Sequence, residues 1–144
     1  MIGARPIEGR CMCGDVTVRA LIHDPKLRAC HCEMCRQQTS SMFISLTPVE
    51  GSMAFDGPVQ VYRSSEWAER GFCRTCGSTL FYGTVADGVR HPAAGLFKDA
   101  AGAPMKLEFF ADAAPDGYAL AGTHRKMTTT ETLALFAPNE GDNQ

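Results

Sequence analysis

No stretch of the 144 residues approaches the roughly 18 consecutive apolar positions that a membrane-spanning helix requires. The opening Met1-Ile2-Gly3-Ala4-Arg5-Pro6 has none of the apolar core of a secretory leader, so a cytoplasmic, reducing location is the expectation. An excess of one charge is missing too. Against 16 Asp and Glu, 14 Lys and Arg leave a formal net charge of −2, which offers no global field for nucleic acid or an anionic membrane. There is no internal repeat, low-complexity tract or linker, so a single domain over 1–144 is expected, with about 138–144 as a loose polar tail. The seven cysteines lack an even count, which rules out a complete set of intramolecular disulfides.

What the chain does have is cysteine in three tight groups. Cys30-His31-Cys32-Glu33-Met34-Cys35 places three thiols within six residues, and Cys11-Met12-Cys13-Gly14 and Cys73-Arg74-Thr75-Cys76-Gly77 supply two pairs. Thiolates at such spacing suit a soft metal, and zinc is the usual occupant. Four thiolates close a tetrahedral structural site, so the two pairs predict one zinc on Cys11, Cys13, Cys73 and Cys76. That metal would close a loop of roughly 60 residues, which is entropically costly in its absence. Cys30, Cys32 and Cys35 are one ligand short, and an open position is what separates a catalytic zinc from a structural one. Read instead as a redox pair, Cys73 and Cys76 would need a helix start in a βαβ context, which this strand-rich stretch does not show.

The other side chains near these groups are weighed in the same way. His31, between two ligands in an extended segment, points away from them and is assigned hydrogen bonding rather than ligation. His91 and His124 are the candidates for a fourth ligand that would close the second site, and His23, beside a turn, is assigned to solvent. Met12, Met34 and Met42 are assigned to core filling in preference to a pocket near the metals.

Periodicity points to strands. Val16, Val18, Ala20 and Ile22 alternate, and His23-Asp24-Pro25 ends the run. Residues 42–46 predict a second strand, and 53–55 with 59–62 predict a hairpin turning at Asp56-Gly57. Residues 78–83 continue as strand from the second pair, and a further turn is expected at Asp87-Gly88. Residues 93–97 and 105–110 complete the predicted strands. The capping pattern Thr128-x-x-Glu131 predicts a short helix running to about Phe136, before Pro138.

Taken together, Gly9-Arg10-Cys11-Met12-Cys13-Gly14, Cys30-His31-Cys32-Glu33-Met34-Cys35-Arg36 and Arg70-Gly71-Phe72-Cys73-Arg74-Thr75-Cys76-Gly77 resemble the glutathione-dependent formaldehyde-activating enzyme family. The resemblance takes in all seven cysteines and runs from residue 9 to at least residue 82. Further on, Glu108-Phe109-Phe110-Ala111-Asp112 and Pro115-Asp116-Gly117-Tyr118 look like the family's late strand and the segment after it, with Tyr118 where a tryptophan is expected. The resemblance implies a mainly β, tent-like fold of stacked antiparallel sheets with zinc knuckles. It implies two zinc ions per chain, structural on Cys11, Cys13, Cys73 and Cys76 and catalytic on Cys30, Cys32 and Cys35. It further implies a carbon–sulfur lyase that joins glutathione and formaldehyde into S-hydroxymethylglutathione and reverses that step, with the substrate thiol at the open zinc position. Arg36 reads either as a partner for a glutathione carboxylate or as an arginine at the core edge.

Two other classes compete. A branch resembling centromere protein V shows that this pattern also serves as a non-catalytic zinc module for a macromolecular partner, although the −2 charge argues against nucleic acid. A redox enzyme such as a methionine sulfoxide reductase would need an unligated reactive cysteine, whereas every cysteine here has a metal role.

Overall fold

In the computed structural model, which describes residues 3–136, the chain is mainly β, with eleven strands in three sheets and two α-helices among those residues. The predicted tail and Pro138 lie outside the described residues. Among those described, no helix is long and apolar enough to cross a membrane. The backbone groups into two compact units. One comprises the chain up to Leu27 together with Ile44–Pro104, and the other comprises Arg28–Phe43 together with the chain from Met105 onward.

The first unit begins with an antiparallel pair, β1 (Arg5–Arg10) and β2 (Thr17–Ile22), in the register Arg5↔Ile22 to Arg10↔Thr17. The predicted alternation is realised in β2. Val18, Ala20 and Ile22 are buried while Thr17, Arg19 and Leu21 are exposed, so one face packs with Ile7, Leu46, Ala94 and Phe97 into a core. After the second unit's first segment and β4 (Phe43–Ser45), β5 (Ala54–Asp56) adds to β2 on the side away from β1. The remaining sheet contains β6 (Val59–Arg63), β7 (Ala68–Cys73), β8 (Thr79–Thr84) and β9 (Arg90–Pro92), antiparallel in that order. Gly71 of β7 sits under the Phe81 ring. A Cβ there would fall 2.1 Å from a ring carbon, so only glycine lets that ring join Cys11, Val16, Cys73 and Leu80 in a second core.

Two local expectations for this unit are corrected. The turn at Asp56-Gly57 exists, but its flanking strands do not form a hairpin, because β5 pairs with β2 while β6 pairs with β7. Gly57 (φ 128) passes so close to the Asp15 carbonyl that a Cβ would lie 2.1 Å from its oxygen, and this tight crossing carries the chain from one sheet to the other. Residues 93–97 hold a short 3-10 turn at Ala94–Leu96 rather than a strand. With Gly at its centre and Ala94 and Phe97 buried, this run packs by a three-residue repeat that a two-residue pattern does not describe.

In the second unit, β3 (Leu27–Cys30) leads into α1 (Glu33–Thr39), and the sheet is completed by β10 (Met105–Phe109) and β11 (Arg125–Lys126), in the order β11-β10-β3-β4. β10 and β11 run parallel, a departure from the expected antiparallel sheets. The helix α2 (Thr129–Phe136) starts as predicted: the Thr128 hydroxyl accepts from the Glu131 N–H at 3.1 Å, and the Glu131 carboxylate accepts from the Thr128 N–H at 2.9 Å. Asp112 adds a cap, accepting from both the amide and the hydroxyl of Thr129.

Candidate metal centres

The turn between β1 and β2 carries the first pair of cysteines, and the β7–β8 turn carries the second. Each turn is closed by two main-chain hydrogen bonds, Gly14 N–H to Cys11 and Cys11 N–H to Val16 in one, Gly77 N–H to Cys73 and Cys73 N–H to Ser78 in the other. Gly14 (φ 86) and Gly77 (φ 81) take the left-handed conformation that turns the chain back under its own sulfurs. Free amides then point at sulfur, from Val16 to Cys11 at 3.3 Å and from Asp15 to Cys13 at 3.4 Å. The four Sγ atoms lie within 4.8 Å of one another.

Those spacings fit zinc. Four sulfurs around an ion at about 2.3 Å stand about 3.8 Å apart in a tetrahedron, and Cys11 to Cys13 is 3.6 Å while Cys13 to Cys73 is 3.9 Å. None of the seven cysteines forms a disulfide. Cys11 and Cys73 are buried in the second core, so the sulfur cluster is continuous with the packing rather than appended to it.

Crowded thiols share their protons unequally. For Cys13 the Asp15 amide favours the thiolate, but desolvation and the neighbouring sulfurs push the thiol up to about 12. Cys76 is drawn down to about 5 by the hydroxyl and amide of Ser78 and the amide of Cys13. Burial would raise Cys11, yet the Val16 amide and the Cys13 and Cys73 thiols bring it below its ordinary value. Mutual repulsion prevents four adjacent thiolates from coexisting alone, and a divalent cation removes that repulsion.

The second group is built over a shorter span. Cys30 closes β3, Cys32 is the N-cap of α1 with its sulfur accepting from the Cys35 N–H at 3.4 Å, and Cys35 is buried in the first turn. Their three Sγ atoms also lie within 4.8 Å of one another. The Cys32 and Cys35 sulfurs, with burial as a further cause, hold the Cys30 thiol far above its ordinary range. A cation would release it.

Neither candidate fourth ligand joins this three-sulfur group. His124 is hydrogen-bonded through Nε2 to Glu108, and His91 of β9 stacks with Tyr82 at 6.4 Å between ring centres. His31 does take the hydrogen-bonding role expected of it, its Nε2 lying 2.6 Å from the other oxygen of Glu108. Burial would raise Glu108, but hydrogen bonds from His124 and His31 hold it below the usual carboxylate range. Arg36 donates from Nε to the His31 carbonyl at 3.3 Å, so part of its guanidinium serves the cysteine segment itself. His23 is exposed, as expected.

The assignment of Met12 and Met34 is corrected. Met12 is 74% exposed and Met34 37%, so neither fills the core. Their positions explain why, since one lies at the tip of a turn and the other on the outer face of a one-sided helix. Met12 instead lines an open cavity of about 410 Å³ beside Cys11, with Arg10, Ser78 and Leu96.

The buried polar side chain that sequence reasoning passed over is Glu108. Its signal is faint, a carboxylate between Leu107 and Phe109 in a strand that also carries an exposed lysine, Lys106.

Comparison with known proteins bears on the same residues. An uncharacterized lyase of Schizosaccharomyces pombe is 34% identical over 128 residues, 88% of this chain and 93% of that one. A crystal structure of a Rhodobacter sphaeroides protein shares the fold with a TM-score of 0.53 at 20% identity, covering 69% of this chain and 100% of that one. The family model for the glutathione-dependent formaldehyde-activating enzyme matches residues 6–113, a span that holds both sulfur groups and Glu108. On that match and on the cysteine pattern within it, the chain belongs to the glutathione-dependent formaldehyde-activating enzyme family.

Proposed function

We propose that this chain is a zinc-dependent carbon–sulfur lyase that makes and breaks the adduct between glutathione, or a similar small thiol, and formaldehyde or a close analogue. The observation that carries the reading is the unequal pair of sulfur groups, one of four set in a core and one of three. Cys11, Cys13, Cys73 and Cys76 would hold a structural zinc, while Cys30, Cys32 and Cys35 would hold a catalytic zinc with three protein sulfurs, room remaining for substrate sulfur. When bound there, zinc supplies a preference for thiolate over thiol and an orientation for it.

The chain's own part is to fix three sulfurs together on the end of β3 and the first turn of α1, where the substrate thiol would be received. In the synthetic direction the thiol gives up its proton, a sulfur–carbon bond forms at the aldehyde carbon, and the carbonyl oxygen takes a proton to become the adduct hydroxyl. The reverse step breaks that bond, and no electron is gained or lost overall. The family's description and that of the Schizosaccharomyces pombe relative as a lyase both support this reading. Reduced thiols are required throughout, which suits the cytoplasm.

Exchange spectroscopy by NMR on glutathione with isotope-labelled formaldehyde tests the proposal. Zinc-loaded protein should accelerate adduct exchange over the spontaneous rate, and Cys32→Ser should abolish the acceleration while the fold persists. Absence of acceleration with glutathione and with other small thiols would remove the lyase reading.

A further inference from the structure

We propose that Glu108 is a positioning residue for the three-sulfur group, holding His31, and through it Cys30 and Cys32, with His124 as its anchor on the far side. This rests on the reading of Cys30, Cys32 and Cys35 as a zinc site.

Three polar side chains are buried together in the second unit, His31 at 1% exposure, His124 at 2% and Glu108 at 6%. The Glu108 carboxylate bridges them, one oxygen to each Nε2. An ionised carboxylate only accepts, so each imidazole turns its Nε2–H toward Glu108. Such a cluster is a poor way to gain stability, because apolar side chains of the same volume fill a core at least as well. His31 adds a second cost to the fold, since its Nδ1 is buried with no hydrogen-bond partner among the described residues. A core shaped by packing alone would not retain either feature.

What the cluster does is grip the cysteine segment at two points. His31 donates its main-chain N–H to the Phe109 carbonyl at 3.1 Å and ties its ring to Glu108, the preceding residue of β10. With main chain and ring both fixed, the segment cannot roll about its own axis, and the Cβ directions of Cys30 and Cys32 are set. Glu108 is held in turn at two points. Its carbonyl accepts from the Met127 N–H at 2.8 Å, and its carboxylate meets His124 three residues earlier, on either side of β11. The path from His124 through Glu108 to His31 is therefore continuous and buried. Ligand atoms must stay within about 0.2 Å of their places to hold a metal well, which a freely rolling segment would not achieve.

Zinc competition on the full chain tests this. Wild type and Glu108→Gln are loaded with zinc and titrated with a chromophoric chelator; glutamine keeps the shape but loses the charge and one of the two acceptors. One of two equivalents should be released about 10–100-fold more readily in the variant, while the other equivalent and the melting temperature stay at wild-type values. His124→Asn, at the outer end, should weaken the same equivalent by a smaller factor, and it decides the matter if Glu108→Gln fails to fold. Wild-type affinity for both equivalents in the folded variants overturns the proposal. Parallel loss of both zincs and of melting temperature overturns it too, since that marks a packing role. A wild-type chain that binds a single zinc overturns the reading of the three-sulfur site, and this inference with it.

Discussion

Removing two sulfurs from each group in turn should separate a metal that holds the fold together from one that does not. Cys13→Ser with Cys76→Ser takes the less buried pair from the four-sulfur group and leaves Cys11 and Cys73 packed in the core. Cys30→Ser with Cys32→Ser does the same to the three-sulfur group and leaves Cys35 buried. Packing losses are thereby matched, and the difference lies in the loops that each metal closes. Cys13 and Cys73 stand 60 positions apart, while Cys30 and Cys35 stand five apart. Loop-closure cost grows as (3/2)RT ln n, so the long tie contributes about 2 kcal/mol more than the short one. The fourth sulfur acts in the same direction, which makes that figure a lower bound. With an unfolding entropy of about 0.3 kcal/mol/K for a chain of this length, the first double variant should melt about 7 °C below the second. Thermal melts with stoichiometric zinc provide the comparison. Equal midpoints, or a lower midpoint for the Cys30 and Cys32 variant, would refute the assignment of the structural role.

Three smaller perturbations test the fold around the sites. Ala100, at φ 48 and ψ 38 in a left-handed run with Asp99 and Ala101, should tolerate Ala100→Gly with a gain, because relief of roughly 1–2 kcal/mol of strain exceeds the roughly 0.5–1 kcal/mol of added unfolded-chain freedom; a lowered denaturation midpoint would count against it. Gly57→Ala, which drives a Cβ onto the Asp15 carbonyl at positive φ, should cost roughly 2–4 kcal/mol by chemical denaturation, and a neutral result would mean that the crossing is loose. The Asp112 carboxyl is held below its usual value by the Thr129 hydroxyl and amide, so its support of α2 is present above the ordinary carboxylate range and is lost as pH falls through the lowered value. Asp112→Asn should therefore differ from wild type at neutral pH and converge with it in acid, and a gap independent of pH would contradict this.

The fold was legible in sequence wherever an element answers to its own residues. β2 could be read because one face is buried and the other is not, and α2 because both halves of its capping box fall within four residues. α1 could not, since Cys35 is its only buried residue and one apolar contact sets no period. The failed hairpin has a different cause. Asp56-Gly57 carries the turn signal, yet whether the next strand returns beside its neighbour or crosses to another sheet depends on Asp15, some forty positions earlier in the chain, whose carbonyl fills the space that a side chain at 57 would occupy. Local turn chemistry describes the bend and is silent on the partner.

The site divides along the same line. Chelation favours ligands that arrive in pairs on one turn, because each pair is already closed when the metal meets it, and so seven ligand candidates stood out as Cys-x-Cys and Cys-x-x-Cys. Glu108 has no such neighbour. Its partners are 77 residues before it and 16 after it, and nothing near it in the chain distinguishes it from a charged residue on an exposed strand face. Only the placement of β10 between β3 and β11, with Glu108 its one buried residue, converts that carboxylate into a bridge between two imidazoles. Long-range order thus has opposite effects on the two kinds of residue. It brings together cysteines whose chemistry is already evident, and it creates the environment of Glu108, which is why a sequence pattern finds the sulfurs that could hold a metal more readily than the residue proposed to keep them in place.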